Sequence, residues 1–228
     1  MDIQAIIPSA GQGRRFGALK QFLDLEGKPL LCHALESFLK SPLITGLCLV
    51  VPEPEMEQAR EIVDSFSTKK QIKIIAGGAT RQDSVARGFD ALKPCDLVVI
   101  HDGVRPLIST TLIEDVISAA RESGASVAGL PVKETTKEVS KEMFVTKTVD
   151  RNQLWSIQTP QAFRYPLLKK GFEQAKRDNF TGTDEAMLVE RIGAKVKVVE
   201  GDPYNIKVTR PQDLEMAKKL LVLRRAKS

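Results

Sequence analysis

Short apolar runs alternate with longer amphipathic stretches along most of the chain. Ile3 to Pro8, Leu47 to Val51 (stopped by Pro52), Ile72 to Ala76 and Leu97 to Ile100 are runs of strand length. Between them, Pro29 to Leu39 puts Leu30, Leu31, Ala34, Leu35 and Phe38 on one side of a helix, and Glu55 to Phe66 is amphipathic. Gly77-Gly78 opens the loop GGATRQDS, followed by a helix through Leu92. Thr111 and Glu114 predict a capping box ahead of Leu112, Ile113, Val116, Ile117 and Ala120, and Ser126 to Pro131 predicts a further strand. This alternation predicts an α/β fold: a Rossmann-like, mostly parallel sheet with helices on both faces. Right-handed crossovers then bring the loops after the strands to one edge, although they lie far apart in sequence.

The pattern breaks after Pro131. Residues 133–149, KETTKEVSKEMFVTKTV, are polar, β-branched and charged, with Lys141-Glu142 as a turn. They predict an extended hairpin arm leaving a single domain that spans 1–228, the arm covering 133–150. A two-stranded arm is marginal alone, so a second copy of the chain is expected to cover it, giving a homodimer. The α/β pattern resumes with a helix from Tyr165 to about Lys176. A Thr183-Asp184-Glu185 cap then precedes a helix to Ile192, and Lys195 to Val199 predicts a strand. Asn205 to Val208 predicts a late strand carrying Lys207. Thr209 and Gln212 are expected to cap a last helix that has Pro211 in its first turn and buries Leu214, Ala217, Leu220 and Leu221.

Composition narrows the classes. The chain has 228 residues, a net charge of +5 and only 5% aromatic residues, so its surface is mixed in sign and poor in base-stacking side chains. Small polyanions explain the charge bias as well as nucleic acid does, and no nucleic-acid partner is expected. Cys32, Cys48 and Cys95 have no Cys-x-x-Cys spacing and read as reduced, mostly buried thiols of a cytoplasmic protein. No apolar run reaches membrane-spanning length.

The chemistry concentrates in the loops after strands. In IIPSAGQGRRFGALKQ, from Ile6 to Gln21, small residues (Ser9, Ala10, Gly11, Gly13) precede Arg14, Arg15 and Lys20. Backbone N–H groups and cations in that order suit a polyphosphate. A P-loop is excluded because Gly13 is followed by Arg14-Arg15. The dinucleotide fingerprint fails because the third glycine, Gly17, comes four residues after Gly13 and no ribose-binding acid closes a second strand. Asp102 follows an apolar strand and suits either Mg²⁺ or a substrate hydroxyl, and Arg105 adds a cation for phosphate. Ser84, near Arg81 and Asp83, suits a hydrogen bond to base or phosphate, or a helix N-cap. His101 and His33 read as structural.

The motifs taken together resemble a known family. IIPSAGQGRR with Lys20-Gln21 resembles the opening of sugar-phosphate nucleotidyltransferases. HDGVRP at 101–106, TVDRNQLW at 148–155, TPQAF at 159–163, TDEA at 183–186 and NIKVTRP at 205–211 are similar to the 2-C-methyl-D-erythritol 4-phosphate cytidylyltransferase family. The likeness covers essentially the whole chain, although FGAL, between Arg15 and Lys20, is shorter than in many relatives. It implies transfer of CMP from CTP to methylerythritol phosphate, with a divalent cation such as Mg²⁺ and a dimer formed through the β-arm. It implies Arg15 and Lys20 as cations at the α-phosphate and leaving group, and Lys207 and Arg151 as positioning the acceptor phosphate, Arg151 from a second copy's arm. Ala10, Gly11, Gly13, Gly78, Ala79, Ser84, Asp102 and Gly103 would surround CTP. Arg105, Thr135 and Thr159 would surround the acceptor, Thr159 across the dimer, and Asp102 would serve the metal or substrate hydroxyls. Ribitol 5-phosphate is the alternative acceptor. A nicotinamide-dependent oxidoreductase and a non-catalytic nucleotide sensor are the competing classes.

Overall fold

The computed structural model describes residues 1–11, 16–17 and 19–225. β1 (Ile3–Pro8) leads into the glycine loop, and one turn of 3-10 helix covers Lys20–Phe22. A small hairpin, β2 (Asp24–Leu25) and β3 (Lys28–Pro29), precedes α1 (Leu30–Lys40). The alternation continues through β4 (Gly46–Val51), α2 (Met56–Asp64), β5 (Gln71–Ala76), α3 (Arg81–Ala91), β6 (Leu97–Ile100) and α4 (Thr110–Ser123). β7 (Ala125–Pro131) is followed by β8 (Thr136–Val139), β9 (Val145–Val149) and β10 (Trp155–Arg164). Then come α5 (Tyr165–Arg177), α6 (Glu185–Arg191), β11 (Lys197–Glu200) and α7 (Pro211–Arg225).

Seven strands form the central sheet, in the order β11-β7-β10-β6-β1-β4-β5. Successive side chains of a strand point to opposite faces, and the core divides accordingly. Ile3, Ala5 and Ile7 of β1 pack with α1, α2 and α4, through Leu35, Phe38, Ile62, Ile113 and Ile117. Ile6 packs on the other face with α3, α5 and α6, through Val85, Phe89, Leu168 and Val189. A third cluster seats α7: Ala217 packs with Leu25, Leu30, Val104, Leu107 and Val208.

Parallel pairs β1–β4, β4–β5 and β1–β6 make β1 the point where the strand order turns back, so the β1 and β6 C-termini flank a crevice. The sheet is not parallel throughout: β10 lies between β6 and β7, antiparallel to both. The apolar pattern does not announce this strand, because Gln158, Thr159, Pro160 and Gln161 interrupt it.

Three caps differ from expectation. Ser109, not Thr111, caps α4, its Oγ accepting from Leu112 N at 3.2 Å, while the Glu114 carboxylate accepts from Ser41 Oγ. Thr80 caps α3 in a capping box with Asp83, so Ser84 is no N-cap. Asp213, rather than Gln212, closes the start of α7 by accepting from Thr209 N, Thr209 Oγ1 and Arg210 N. Asn205 to Val208 is no strand either. It runs beside the 101–107 loop, with Val208 N donating to Val104 O at 2.9 Å.

β8 and β9 pair with each other and with no other strand, forming the hairpin arm. Val139, Met143, Phe144 and Val145 lie exposed on it, Phe144 at 73%.

Candidate active site

Three loops converge at the strand C-termini. A methyl group on Gly77 would lie 2.2 Å from the Ala10 Cβ, so the loop after β5 packs directly against the loop after β1. A methyl on Gly103 would lie 2.0 Å from Ser9 Oγ and 2.9 Å from Leu31, so the loop after β6 also rests on β1. Only glycine permits either approach.

Asp102 is the centre of the charge. Its Oδ1 accepts from Arg81 Nε at 3.0 Å, and its Oδ2 lies 2.7 Å from Lys207 Nζ and 4.0 Å from Arg105 Nε. Burial pushes the carboxyl up, but Arg81, Lys207 and Arg105 together pull it further down, well below the usual carboxylate range. Arg81 continues the chain of charges. Its Nη1 donates to both oxygens of Glu185, at 2.8 and 3.0 Å. Glu185 is 1% exposed; burial pushes its carboxyl up, and the Arg81 guanidinium against both oxygens favours the carboxylate.

A second network fixes the loop that carries Asp102. His101 is fully buried, and burial pushes its ring down to about 4, so it is neutral. A carbonyl can only accept, so the His101 Nε2 contact with Arg105 O, at 3.1 Å, places the ring proton on Nε2. Nδ1 therefore accepts from Thr159 Oγ1 at 3.1 Å, and Thr159 Oγ1 in turn accepts from Asp102 N at 3.1 Å. Asn205 Nδ2 donates to Thr159 O at 2.7 Å and Arg105 Nη1 donates to Asn205 O at 2.8 Å. β10, the 101–107 loop and the 205–208 segment are thereby joined, and Lys207 is held over Asp102.

The remaining expected site residues distribute unevenly. Ser84 is buried, its Oγ donating to Thr80 O and accepting from Gly78 N. Gly11 and Ala79 are exposed at the mouth of the crevice. Lys20 opens the 3-10 turn. Gly13 and Arg15 lie outside the described residues. Thr135 is exposed on the arm, and Arg151 sits at its base, donating from Nη1 to Lys133 O. Within one chain neither joins Asp102. Thr159, expected to meet substrate across a dimer, lies on β10 beside β6 of its own sheet, its hydroxyl buried between His101 and Asp102.

Asp102 offers a divalent ion one carboxylate, engaged in this chain by Arg81, Lys207 and Arg105. Mg²⁺ bound through one carboxylate takes its remaining ligands from phosphates and water. Among the described residues no three His, Cys, Asp or Glu side chains come together to hold one.

Known proteins share this arrangement of sequence and fold. The profile of the 2-C-methyl-D-erythritol 4-phosphate cytidylyltransferase family matches residues 3–223. The chain belongs to this family. The cytidylyltransferase of Bacillus mycoides is 44% identical over 218 residues, covering 95% of this chain and 96% of that protein. That of Dehalococcoides mccartyi is 44% identical over 220 residues, covering 96% of each. Among solved structures, the 4-diphosphocytidyl-2C-methyl-D-erythritol synthase of Anaerococcus prevotii superposes with a TM-score of 0.87 at 32% identity, covering 96% of this chain and 98% of that one. The cytidylyltransferase of Thermus thermophilus gives 0.79 at 34% identity, with the same coverage.

Two parts of this cytidylyltransferase site were not legible as partners in the sequence. Arg81 stood out only as a loop cation and Glu185 only as part of a cap, and they are 104 residues apart. His101 gave one usable signal: a polar residue closing a fully apolar strand is buried, and so must be hydrogen-bonded.

Proposed function

We propose that the chain transfers CMP from CTP to 2-C-methyl-D-erythritol 4-phosphate, releasing pyrophosphate, as a step in isoprenoid precursor synthesis. The observation that carries this reading is the Arg81, Arg105 and Lys207 cluster around Asp102, at the mouth of the β1/β6 crevice. The acceptor phosphate is already anionic, so attack on the α-phosphorus of CTP needs no strong base. Alignment and neutralisation of charge supply the catalysis.

In this reading Arg15 and Lys20 neutralise the α-phosphate and the departing pyrophosphate. The backbone of Ala10, Gly11, Gly13, Gly78 and Ala79, with Ser84 and Gly103 shaping the floor, surrounds CTP. Lys207 takes the acceptor phosphate and Asp102 turns to a polyol hydroxyl, with Arg105 beside them. Thr159 acts through His101 and the Asp102 backbone. Magnesium enters with the nucleotide, as part of the substrate. None of the described helices is long and apolar enough to cross a membrane. Cys32, Cys48 and Cys95 are free thiols, which suits a cytoplasmic enzyme.

The test is pyrophosphate release with Mg²⁺ and CTP, comparing methylerythritol phosphate with ribitol 5-phosphate and CTP with ATP, GTP and UTP. Turnover with only the CTP and methylerythritol phosphate pair is expected. Turnover with ribitol 5-phosphate instead moves the enzyme to another acceptor, and none with any pair rejects the reading.

The arm belongs to the same proposal. Val139, Met143, Phe144 and Val145 lie exposed around the tip of a hairpin too small to be stable alone. A second copy covers them and brings Arg151 and Thr135 to the first copy's site. Phe144→Glu should shift the protein to a monomer in sedimentation and lower turnover by about tenfold or more, since the acceptor loses a positioning cation. A wild type that is monomeric at assay concentration, or a monomeric variant with full turnover, rejects the trans arrangement.

A further inference from the structure

We propose that Glu185 is a positioning residue for the polyol phosphate: it tethers Arg81 so that Arg81 stays on one edge of Asp102 while the other edge faces the acceptor. This deepens the reaction proposed above and rests on it. Glu185 begins α6, a short helix held from two sides. Its N-cap, Asp184, accepts from Gln161 Nε2 of β10 at 2.7 Å through Oδ2 and from Met187 N at 3.0 Å through Oδ1. Gln161 Oε1 also accepts from Ala186 N at 3.3 Å, and Gln82 of α3 clamps the preceding loop through Phe180 O and Gly182 N. The carboxylate therefore sits at a fixed place, 1% exposed, with both oxygens on Arg81 Nη1.

A buried carboxylate is costly, and pairing it with a single guanidinium recovers only part of that cost. Its value lies in what the guanidinium does at its other end. Arg81 Nε donates to Asp102 Oδ1, and Lys207 occupies Oδ2. When the acceptor phosphate draws Lys207 away, Oδ2 becomes free to accept a polyol hydroxyl. An untethered Arg81 would follow the same attraction, because guanidinium pairs bidentately with phosphate as readily as with carboxylate. Asp102 would then keep only Arg105 Nε, at 4.0 Å, and its side chain would lose its fixed orientation. Glu185 opposes that move by holding Arg81 from behind, on the side away from the substrate.

The experiment compares wild type, Glu185→Gln and Arg81→Lys in steady state, varying each substrate at saturating levels of the other. Glu185→Gln keeps the shape and one acceptor but removes the charge that holds Arg81. Arg81→Lys places an ammonium too compact to span Glu185 and Asp102 together. Each is expected to raise KM for methylerythritol phosphate roughly tenfold, the size of one charge-assisted hydrogen bond, with KM for CTP within about twofold of wild type. Glu185→Asp, which restores the charge on a shorter stem, should recover part of the loss. A purely structural role moves the two KM values together with the thermal midpoint, and that parallel change overturns the proposal. So does an unchanged polyol phosphate KM in either variant. Should Glu185→Gln fail to fold, Arg81→Lys carries the same comparison. A wild type without turnover rejects the reaction itself, whereas a working wild type beside unaltered variants rejects Glu185 alone.

Discussion

Lys207→Ala should lower kcat/KM for methylerythritol phosphate by about 10² to 10³ while leaving KM for CTP within about threefold. The residue is built for this role by its neighbours rather than by its own stem. Arg105 holds Asn205 O, Asn205 holds Thr159 O, and Val208 N holds Val104 O, so the 205–208 backbone has little freedom. The Lys207 side chain is 38% exposed while resting on a carboxylate that is 7% exposed, so it is the most exposed cation of the cluster, ahead of Arg81 at 30% and Arg105 at 12%. It is therefore the cation an incoming phosphate meets. The phosphate carries more charge than Asp102, and Asp102 keeps Arg81 and Arg105 when Lys207 leaves, so the exchange loses little. Lys207→Arg should recover only part of the activity, because a planar fork on a longer stem does not reproduce a point charge at this distance. Steady-state kinetics with each substrate varied in turn decide it. A matching rise in KM for CTP would move Lys207 to the nucleotide side of the site.

Asp102→Asn should cost about 3 kcal/mol at pH 7, a fall in thermal midpoint of roughly 6–12 °C for a chain this long. The change keeps the shape but leaves Arg81, Arg105 and Lys207 facing one another without their shared counter-charge. The figure sits at the low end for a broken buried pair because Lys207 is more than a third exposed and water screens it. pH gives a second signature. The folded carboxyl lies below its unfolded value, so its contribution is fully present above the ordinary Asp range, about pH 4, and drains away as pH falls through the depressed folded value. The gap between wild type and Asp102→Asn should therefore hold from pH 7 to about 5 and close at lower pH. A gap that persists unchanged to pH 2 would mean that Asp102 contributes through shape rather than charge.

Much of this architecture is legible along the chain, for a physical reason. β1, β4 and β6 are buried on both faces and so read as apolar runs, edge strand β5 is half-buried, and their helices carry one apolar face each. The loops after these strands follow from handedness alone, which is why Asp102 and the two glycine loops could be assigned to one edge before any contact was known. β10 was not legible because its buried stretch, Gln158 to Phe163, opens with four residues that are polar or proline and has only Ala162 and Phe163 as apolar positions. Its register with β7 shifts between Ile157 and Gln161, and Gln158 turns its amide to Asp202 O and Asn205 instead. The Asn205 to Val208 stretch misled in the opposite sense. Its β-branched residues suit a strand, but Val208 packs beneath α7 and its N–H bonds to the 101–107 loop. Cations were recognisable as such, and Arg105 meets Asp102 at i,i+3; but Arg81 meets Glu185 across 104 residues and Lys207 comes to Asp102 from a separate loop, which no local spacing carries.

The place of β10 in the strand order also governs how the molecule is assembled on the ribosome. β1, β4, β5 and β6 can pair as soon as residue 100 has emerged, but β6 then ends the ribbon with one row of backbone groups unpaired. β7 cannot dock beside it, because the slot between them belongs to a strand that ends at Arg164. Until β10 arrives, the nascent chain carries two open edges, one of them the wholly apolar Leu97-Val98-Val99-Ile100. The strand that completes the sheet also brings Thr159 to His101. Closure of the sheet and alignment of the Asp102 loop are thus one event, and a chain stopped within the arm would be both sticky and inert.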